Sequence, residues 1–407
     1  MNINYKHKIV IFTTIDEEWG GSEELWSKSI PRLQSFGYEI FVLKNRINRE
    51  HPQFKNLTDN NVKLIDLTIP PEKPERLISI IYKRVKRKII ITFNLPKPIE
   101  KVSEYLFITK IKEINPSLVI LAQGVNFDGL EFAHQFYSHG IPYVTLAQKA
   151  VDFFWPNKNS RPFMKTGLLN ALKCFYVSQH NLKLTEEQFG CRFSNSVIVN
   201  NPIKLKNKII PYPSTDNGFR LACIGRLFLL DKGQDILIKI LSNEKWKARN
   251  IHISFIGEGV DQNALVEMCS LLEVKNIKFD GYINDISEIW KTHHALILPS
   301  RSEGMPLAML EAMAAGRTVI VSDAGGSSEV IIDDENGFIG KCNIELFDAT
   351  LERAWNARNK WHKIGLNASE YISSHYPDSP ENDFADEIKN VIDSNINIIK
   401  KNNSYPL

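Results

Sequence analysis

Residues Ser300 to Glu329 read SRSEGMPLAMLEAMAAGRTVIVSDAGGSSE. Leu296, Ile297 and Leu298 just before them have the character of the end of a buried strand. Pro306 suits the first turn of a helix, where its missing N–H costs nothing. Leu307 to Ala315 is rich in strong helix formers, and Gly316 is a natural stop. Glu303 is therefore expected on the loop at the carboxyl end of a strand, and Glu311 within the helix that follows. In open α/β sheets that crevice is where ligands bind. The backbone around Met305, Pro306 and Leu307 forms the helix start, whose N–H groups at Met305, Leu307 and Ala308 would point toward an anion.

Two carboxylates beside an anion-binding helix start suit a ligand that carries both hydroxyls and phosphate. A nucleotide sugar is such a ligand: its hydroxyls donate to carboxylates, and its diphosphate accepts from N–H groups. The plain alternative is that both glutamates only cap or solvate the helix start, where acids are favoured anyway.

The string E303-G-M-P-L-A-M-L-E311-A-M-A-A-G316 resembles the donor-site signature of the retaining nucleotide-sugar glycosyltransferases of family 4, the glycosyltransferase group 1 proteins. The resemblance implies the GT-B fold, an α/β architecture of two Rossmann-like doubly wound parallel-sheet domains facing across a cleft. It implies that Glu311 holds the ribose hydroxyls and that Glu303 lies against the transferred sugar near the reacting carbon.

Other parts of the chain extend the likeness. Gly225-Arg226-Leu227 is followed by Lys232-Gly233. Cations there would stabilise charge growing on a leaving diphosphate, and the resemblance implies that Arg226 and Lys232 hold it. Standing alone, they read as two solvated surface cations. Gly20-Gly21 precedes a helix opened by Ser22, and matches the place where the family's first domain meets the diphosphate, through Gly21. Gly257-Glu258-Gly259 resembles the glycine turn near the nucleotide. Gly281-Tyr282-Ile283 resembles the strand exit that contacts the base through backbone groups, Ile283 among them. Backbone recognition does not separate UDP- from GDP-sugars. Glu17, Glu18 and Trp19, with Asp16, either meet an acceptor or are loop residues.

Metal chemistry has little support. His293 and His294 are adjacent and lack a third ligand at suitable spacing, so they read as structural. There is no D-x-D motif, and the resemblance implies no obligatory metal or other cofactor beyond the nucleoside-diphosphate sugar itself. One departure stands out: family members often carry a histidine just after the strand that here reads Tyr143-Val-Thr-Leu-Ala147. This chain has Gln148, which cannot act as a general base. Asp152 is a candidate substitute, and a leaving phosphate can itself take the acceptor's proton.

The chain has 407 residues, enough for two α/β domains. Its net charge of +3 gives no argument for nucleic acid as a partner. Five scattered cysteines without C-x-x-C suit reduced thiols and a cytoplasmic location. MNINYKHKIVIFTT lacks the apolar core of a signal peptide and reads as a first strand, and no apolar run has the length of a membrane span. Strand–helix alternation over 1–203 and again over 219–382 predicts two α/β domains, and a shift to Lys, Asn, Pro and Ser over 204–218 reads as the linker between them. The resemblance implies that the first is the acceptor side and the second the donor domain, and that a C-terminal helix over 383–407 crosses back to the first domain. Arg76–Lys101 is basic, with Leu77, Ile81, Val85 and Ile89 at helical spacing. It is either a surface that contacts an anionic membrane or lipid-linked acceptor, or a core-facing helix with a solvated back.

The expected activity is transfer of a sugar, with retention, from a nucleoside-diphosphate sugar to a hydroxyl on a glycan or glycolipid. The alternatives are a nucleotide-sugar-binding pseudo-enzyme, suggested by Gln148, and a sugar-nucleotide epimerase on the same fold.

Overall fold

The computed structural model describes residues 7–15, 17–68, 101–205 and 208–403. Asp16 and the basic stretch Arg76–Lys101, apart from the backbone of Lys101, lie outside them. Seven strands build the first sheet: β1 (His7–Thr13), β2 (Tyr38–Lys44), β3 (Lys63–Asp66), β4 (Leu118–Val125), β5 (Tyr143–Lys149), β6 (Cys174–Tyr176) and β7 (Ser196–Ile198). Their order is β3-β2-β1-β4-β5-β6-β7, and every pairing is parallel. Six more follow: β8 (Phe219–Ile224), β9 (Ile251–Ile256), β10 (Ile277–Gly281), β11 (Ala295–Leu298), β12 (Thr318–Ser322) and β13 (Phe338–Gly340). They form a second parallel sheet in the order β10-β9-β8-β11-β12-β13.

Both sheets carry helices on both faces, so their strands are apolar without alternation. Ile9, Val10 and Ile11 are fully buried, as are Ala295, Leu296 and Ile297. This is the GT-B architecture expected from the sequence, with two doubly wound sheets. The apolar runs alone predict strands over Leu118–Ala122 and Tyr143–Leu146, and both continue three residues further. The largest extensions are in β4 and β5, where Gln123 pairs with Ala147 and Val125 with Lys149. Pairing between neighbouring strands therefore holds Gln148 and Lys149 on a strand, although their polarity reads as loop.

Each sheet reverses its order once, between β1 and β4 and between β8 and β11. At such a reversal the connections leave in opposite directions and open a crevice at the carboxyl edge. The loops after β8 and β11 carry Arg226–Lys232 and Ser300–Glu303, so the topology alone brings them to one crevice.

Pro306 differs in detail from its sequence reading. It is the N-cap of the Leu307–Ala314 helix, in extended conformation (φ −65°, ψ 107°), rather than a residue of its first turn. Its carbonyl accepts from the N–H groups of Met309 and Leu310. Gly316, at φ +77°, takes the left-handed turn after the helix. The linker is tied down by Arg317, a buried guanidinium that donates to the carbonyls of Ile210 (3.0 Å) and Pro211 (2.7 Å).

The last helix, Pro380–Asn403, begins three residues before Asp383 and packs on the first domain. Phe384 meets Phe175 of β6 edge-on at 5.1 Å, and Lys173 pairs with Glu387 at 2.7 Å. Phe384 is buried, so Phe384→Ala leaves a cavity at this strap. We expect it to destabilise the protein by about 3–5 kcal/mol, seen as a lower unfolding midpoint. An unchanged midpoint would show that the strap bears no load.

Candidate active site

The crevice of the second sheet is built around Lys232 and Glu303. Lys232 ends the short Leu229–Lys232 helix, and Gly233 then turns the chain at φ +64°. A side chain at Gly233 would overlap the carbonyl oxygen of Pro299, so the loops after β8 and β11 are in contact here. Lys232 Nζ meets Glu303 Oε1 at 2.6 Å, and Ser300 Oγ donates to the same oxygen at 2.8 Å. The Lys232 side chain runs over Gly225, where a Cβ would sit 3.4 Å from Lys232 Cε.

Arg226 leaves the same loop and crosses to the first domain, where it forms an ion pair with Glu17. Its other nitrogen lies 3.6 Å from Asp231, a buried carboxylate that also takes Lys149 Nζ at 2.8 Å. The Asp231 carbonyl in turn accepts from the N–H groups of Arg301 (2.7 Å) and Ser302 (3.1 Å). Asp231 thus joins the Arg226 loop, the Glu303 loop and the end of β5. Sequence reasoning missed Asp231 and Lys149; the signal was their position directly beside Lys232 and Gln148.

Glycines let the two domains approach. A Cβ on Gly304 would overlap the carbonyl oxygen of Gln148. One on Gly21 would lie 2.9 Å from Leu307 Cδ1, and one on Gly326 would lie 2.7 Å from Ser178 Cβ. The Gly20-Gly21 turn is braced from beneath. Glu23 accepts from the Gly20 N–H at 3.0 Å and lies 3.6 Å from the fully buried Lys44. Glu329 adds a further tie, accepting from the N–H groups of Gln179 (3.0 Å) and His180 (2.8 Å) at the start of a first-domain helix. That helix end has unpaired donors and a partial positive charge, which suits a carboxylate. Met305 is buried, with its Cε methyl against Gly326.

Gly257 (φ +137°) donates to the Gly281 carbonyl at 2.8 Å and abuts Gly225, so the glycine exits of β8, β9 and β10 adjoin one another. Ile283 is half-buried just beyond them. Glu311 stands apart from the Lys232–Glu303 pair. It is buried on the helix behind Leu307 and accepts from the Lys204 N–H, with Glu24 and Lys28 of the first domain nearby. Burial pushes its carboxyl up to about 7, offset in part by Lys204. Lys232 and Glu303 are therefore in direct contact, while Arg226, on the same loop as Lys232, pairs with Glu17 and Asp231. Gly21 lies against Leu307, the first residue of the helix that carries Glu311.

Gln148 is buried, and its carbonyl oxygen Oε1 accepts from Asn201 at 2.8 Å. Its Nε2 has no hydrogen-bond partner among the described residues. His294 accepts from the Arg220 N–H (2.9 Å) through Nδ1, which leaves Nε2 to donate to Ser214 O (3.0 Å). His293 bonds to Ile289 O, so both histidines are engaged by backbone. Among the described residues, no three His, Cys, Asp or Glu side chains group as metal ligands.

Residues 207–371 match the family model of glycosyl transferases group 1. CapJ of Staphylococcus aureus is 24% identical over 322 residues, which is 77% of this chain and 75% of that protein. The UDP-Gal:alpha-D-GlcNAc-diphosphoundecaprenol alpha-1,3-galactosyltransferase of Escherichia coli is 39% identical over 80 residues, 19% of this chain and 21% of its own. Among solved structures, Anabaena HepE in complex with UDP-glucose superposes with a TM-score of 0.69 at 15% identity, covering 94% of this chain and 99% of HepE.

Two outcomes are expected from this geometry. Gly304→Ala should force the domains apart, abolishing turnover and enlarging the radius of gyration in X-ray scattering while circular dichroism is unchanged. A compact, active variant would contradict the close approach. Glu311 is an acid whose folded pKa lies above its ordinary 4.5. Its protonated form favours folding, so its contribution is complete below 4.5 and is lost as pH rises toward 7. The loss is about 3 kcal/mol. Glu311→Gln should therefore gain stability relative to the parent between those pH values in denaturant titrations, and a parallel pH profile would refute it.

Proposed function

We propose that this chain, a GT-B-fold glycosyltransferase with a glycosyl transferases group 1 domain over residues 207–371, transfers a sugar with retention from a nucleoside-diphosphate sugar to an acceptor hydroxyl. The observation that carries this reading is the Lys232–Glu303 contact at the β8/β11 reversal, with Arg226 on the same loop. A diphosphate entering there meets two cations whose present partners are carboxylates. Lys232 exchanges Glu303 for phosphate oxygen, and Arg226 exchanges Glu17. Glu303, released from Lys232, then accepts from a hydroxyl of the sugar.

In the transfer step the bond from the anomeric carbon to the diphosphate oxygen breaks. The acceptor oxygen forms its bond to that carbon on the same face, and the acceptor's proton passes to the departing phosphate. The cations act on charge that grows as the bond breaks, so they favour the transition state over the ground state. Such a route needs no basic side chain at Gln148. Gly21, Met305, Pro306 and Leu307 frame the diphosphate, Glu311 takes the ribose hydroxyls, and Gly257 and Ile283 face the nucleoside. No metal is assigned to these steps; Arg226 and Lys232 supply the positive charge.

The HepE complex holds UDP-glucose, which supports a nucleoside-diphosphate sugar as donor, with UDP- and GDP-sugars both retained as candidates. The Escherichia coli relative, by its name, acts on a sugar linked to diphosphoundecaprenol, which supports a glycan or lipid-linked acceptor. The five free cysteines fit a cytoplasmic location. Removing one preorganised stabiliser of developing charge costs roughly 10²–10³ in turnover. We expect that loss in Lys232→Ala and in Glu303→Ala, assayed with a donor chosen by thermal shift from UDP-, GDP-, ADP- and dTDP-sugars. Near-parental rates in either variant would refute the assigned roles.

A further inference from the structure

Among the described residues, every strongly exposed Phe or Trp lies in one short stretch after β5. Phe153 is 42% exposed, Phe154 44%, Trp155 62% and Phe163 53%. Clustered apolar surface of this kind is uncommon on a soluble protein without a partner.

The stretch is held in this arrangement from below. Gln188, fully buried, donates from Nε2 to the carbonyls of both Val151 and Phe154, each at 2.8 Å. Its own Oε1 is fixed by Asn126 Nδ2 at 2.7 Å, and its backbone carbonyl accepts from Arg161 Nε at 2.8 Å. One buried residue, through its side chain and its backbone carbonyl, thus ties the Phe153–Trp155 segment to the start of the Arg161–Leu169 helix. The rings of Phe153 and Phe154 pack edge-on at 4.9 Å and remain outward.

Lys158, Arg161 and Lys165 are interleaved with these rings. None has a carboxylate within ion-pair reach among the described residues; Lys165 bonds to the carbonyl of Gly190, and Arg161 bonds to that of Gln188 with its guanidinium 6.0 Å from the Phe189 ring centroid. Aromatic rings beside unpaired cations match the layered chemistry of a bilayer surface, with rings at the headgroup level and cations on anionic phosphates. A platform for a sugar ring fits less well: two of the three adjacent rings are Phe without a polar edge, and Asp152 is the one acid in the segment.

We propose that the Phe153–Phe163 surface is an interfacial anchor that seats the first domain on an anionic phospholipid bilayer. Among the described residues no helix is long and apolar enough to cross a membrane, so the contact is peripheral. The anchor leaves the chain four residues after Lys149, which reaches Asp231 across the cleft, so the lipid surface lies beside the cleft mouth. The inference is separate from Arg76–Lys101 and does not rest on sugar transfer.

The test is sedimentation of the full chain with vesicles of phosphatidylglycerol and phosphatidylcholine in equal parts, and with phosphatidylcholine alone. Binding is expected only with the anionic lipid and should weaken with salt. Replacing Phe153, Phe154 and Trp155 together by Ser should lower the partition coefficient roughly tenfold or more. Lys158→Ala and Lys165→Ala should each lower it roughly fivefold at low salt. The melting temperature checks folding, and Trp155→Ser alone serves if the triple variant melts early. Absence of binding by the parent chain overturns the proposal. So does undiminished binding by the Ser variant, which would place the contact elsewhere. Loss of sugar transfer to a soluble acceptor with vesicle binding unchanged would assign the rings to the acceptor instead. Because sedimentation needs no donor or turnover, its failure leaves the proposed transferase activity untouched.

Discussion

Charge in the second-domain crevice is arranged around one constraint: the sheet order reverses between β8 and β11, so the loops leaving those strands must share an opening. Lys232 and Glu303 are 71 residues apart in the chain, yet meet at 2.6 Å because of that reversal. Ser300 steadies the carboxylate, and Gly225 gives the lysine room to lie flat. Such a partly buried pair is a poor stabiliser in itself, since desolvation offsets most of the attraction. That weakness suits a site whose cation must exchange partners with an incoming anion.

Closure depends on small residues as much as on charge. Gly304, Gly21 and Gly326 each lie where a methyl group would meet the other domain. Around them run three polar ties: Arg226 to Glu17, Lys149 to Asp231, and Glu329 to the start of the Gln179–Phe189 helix. The ties differ in exposure. Arg226 and Glu17 are about half exposed, so their attraction is screened and easily exchanged, whereas Asp231 and Lys149 are largely buried. Asp231 belongs to the same loop as both cations, so domain approach and the placement of Arg226 are mechanically coupled.

Much of this was legible beforehand. The apolar runs marked each strand, and the Ser300–Glu329 string located the loop, the helix and its glycine stop. The structure brings Gly21 against Leu307 and Lys232 against Glu303. Less was visible where tertiary pairing overrides local character. Gln148 and Lys149 lie on a strand because β4 runs beside them. Pro306 caps its helix instead of entering it. Asp231 and Glu329 look like ordinary surface acids until the partner domain supplies Lys149 and the free helix N–H groups.

Local sequence sets the kind of element at each position and the residue types at strand exits, because apolar periodicity, glycine and proline act over a few neighbouring residues. Which exits share a crevice, how nearly the domains touch and which acids are buried follow from the assembled fold. Those outcomes depend on strand order and on side chains arriving from distant segments. Glu311 shows the difference: its place on a helix was readable from its neighbours, while the burial that raises its carboxyl to about 7 comes from its surroundings, where Lys204 and the first-domain helix bearing Glu24 and Lys28 lie close by.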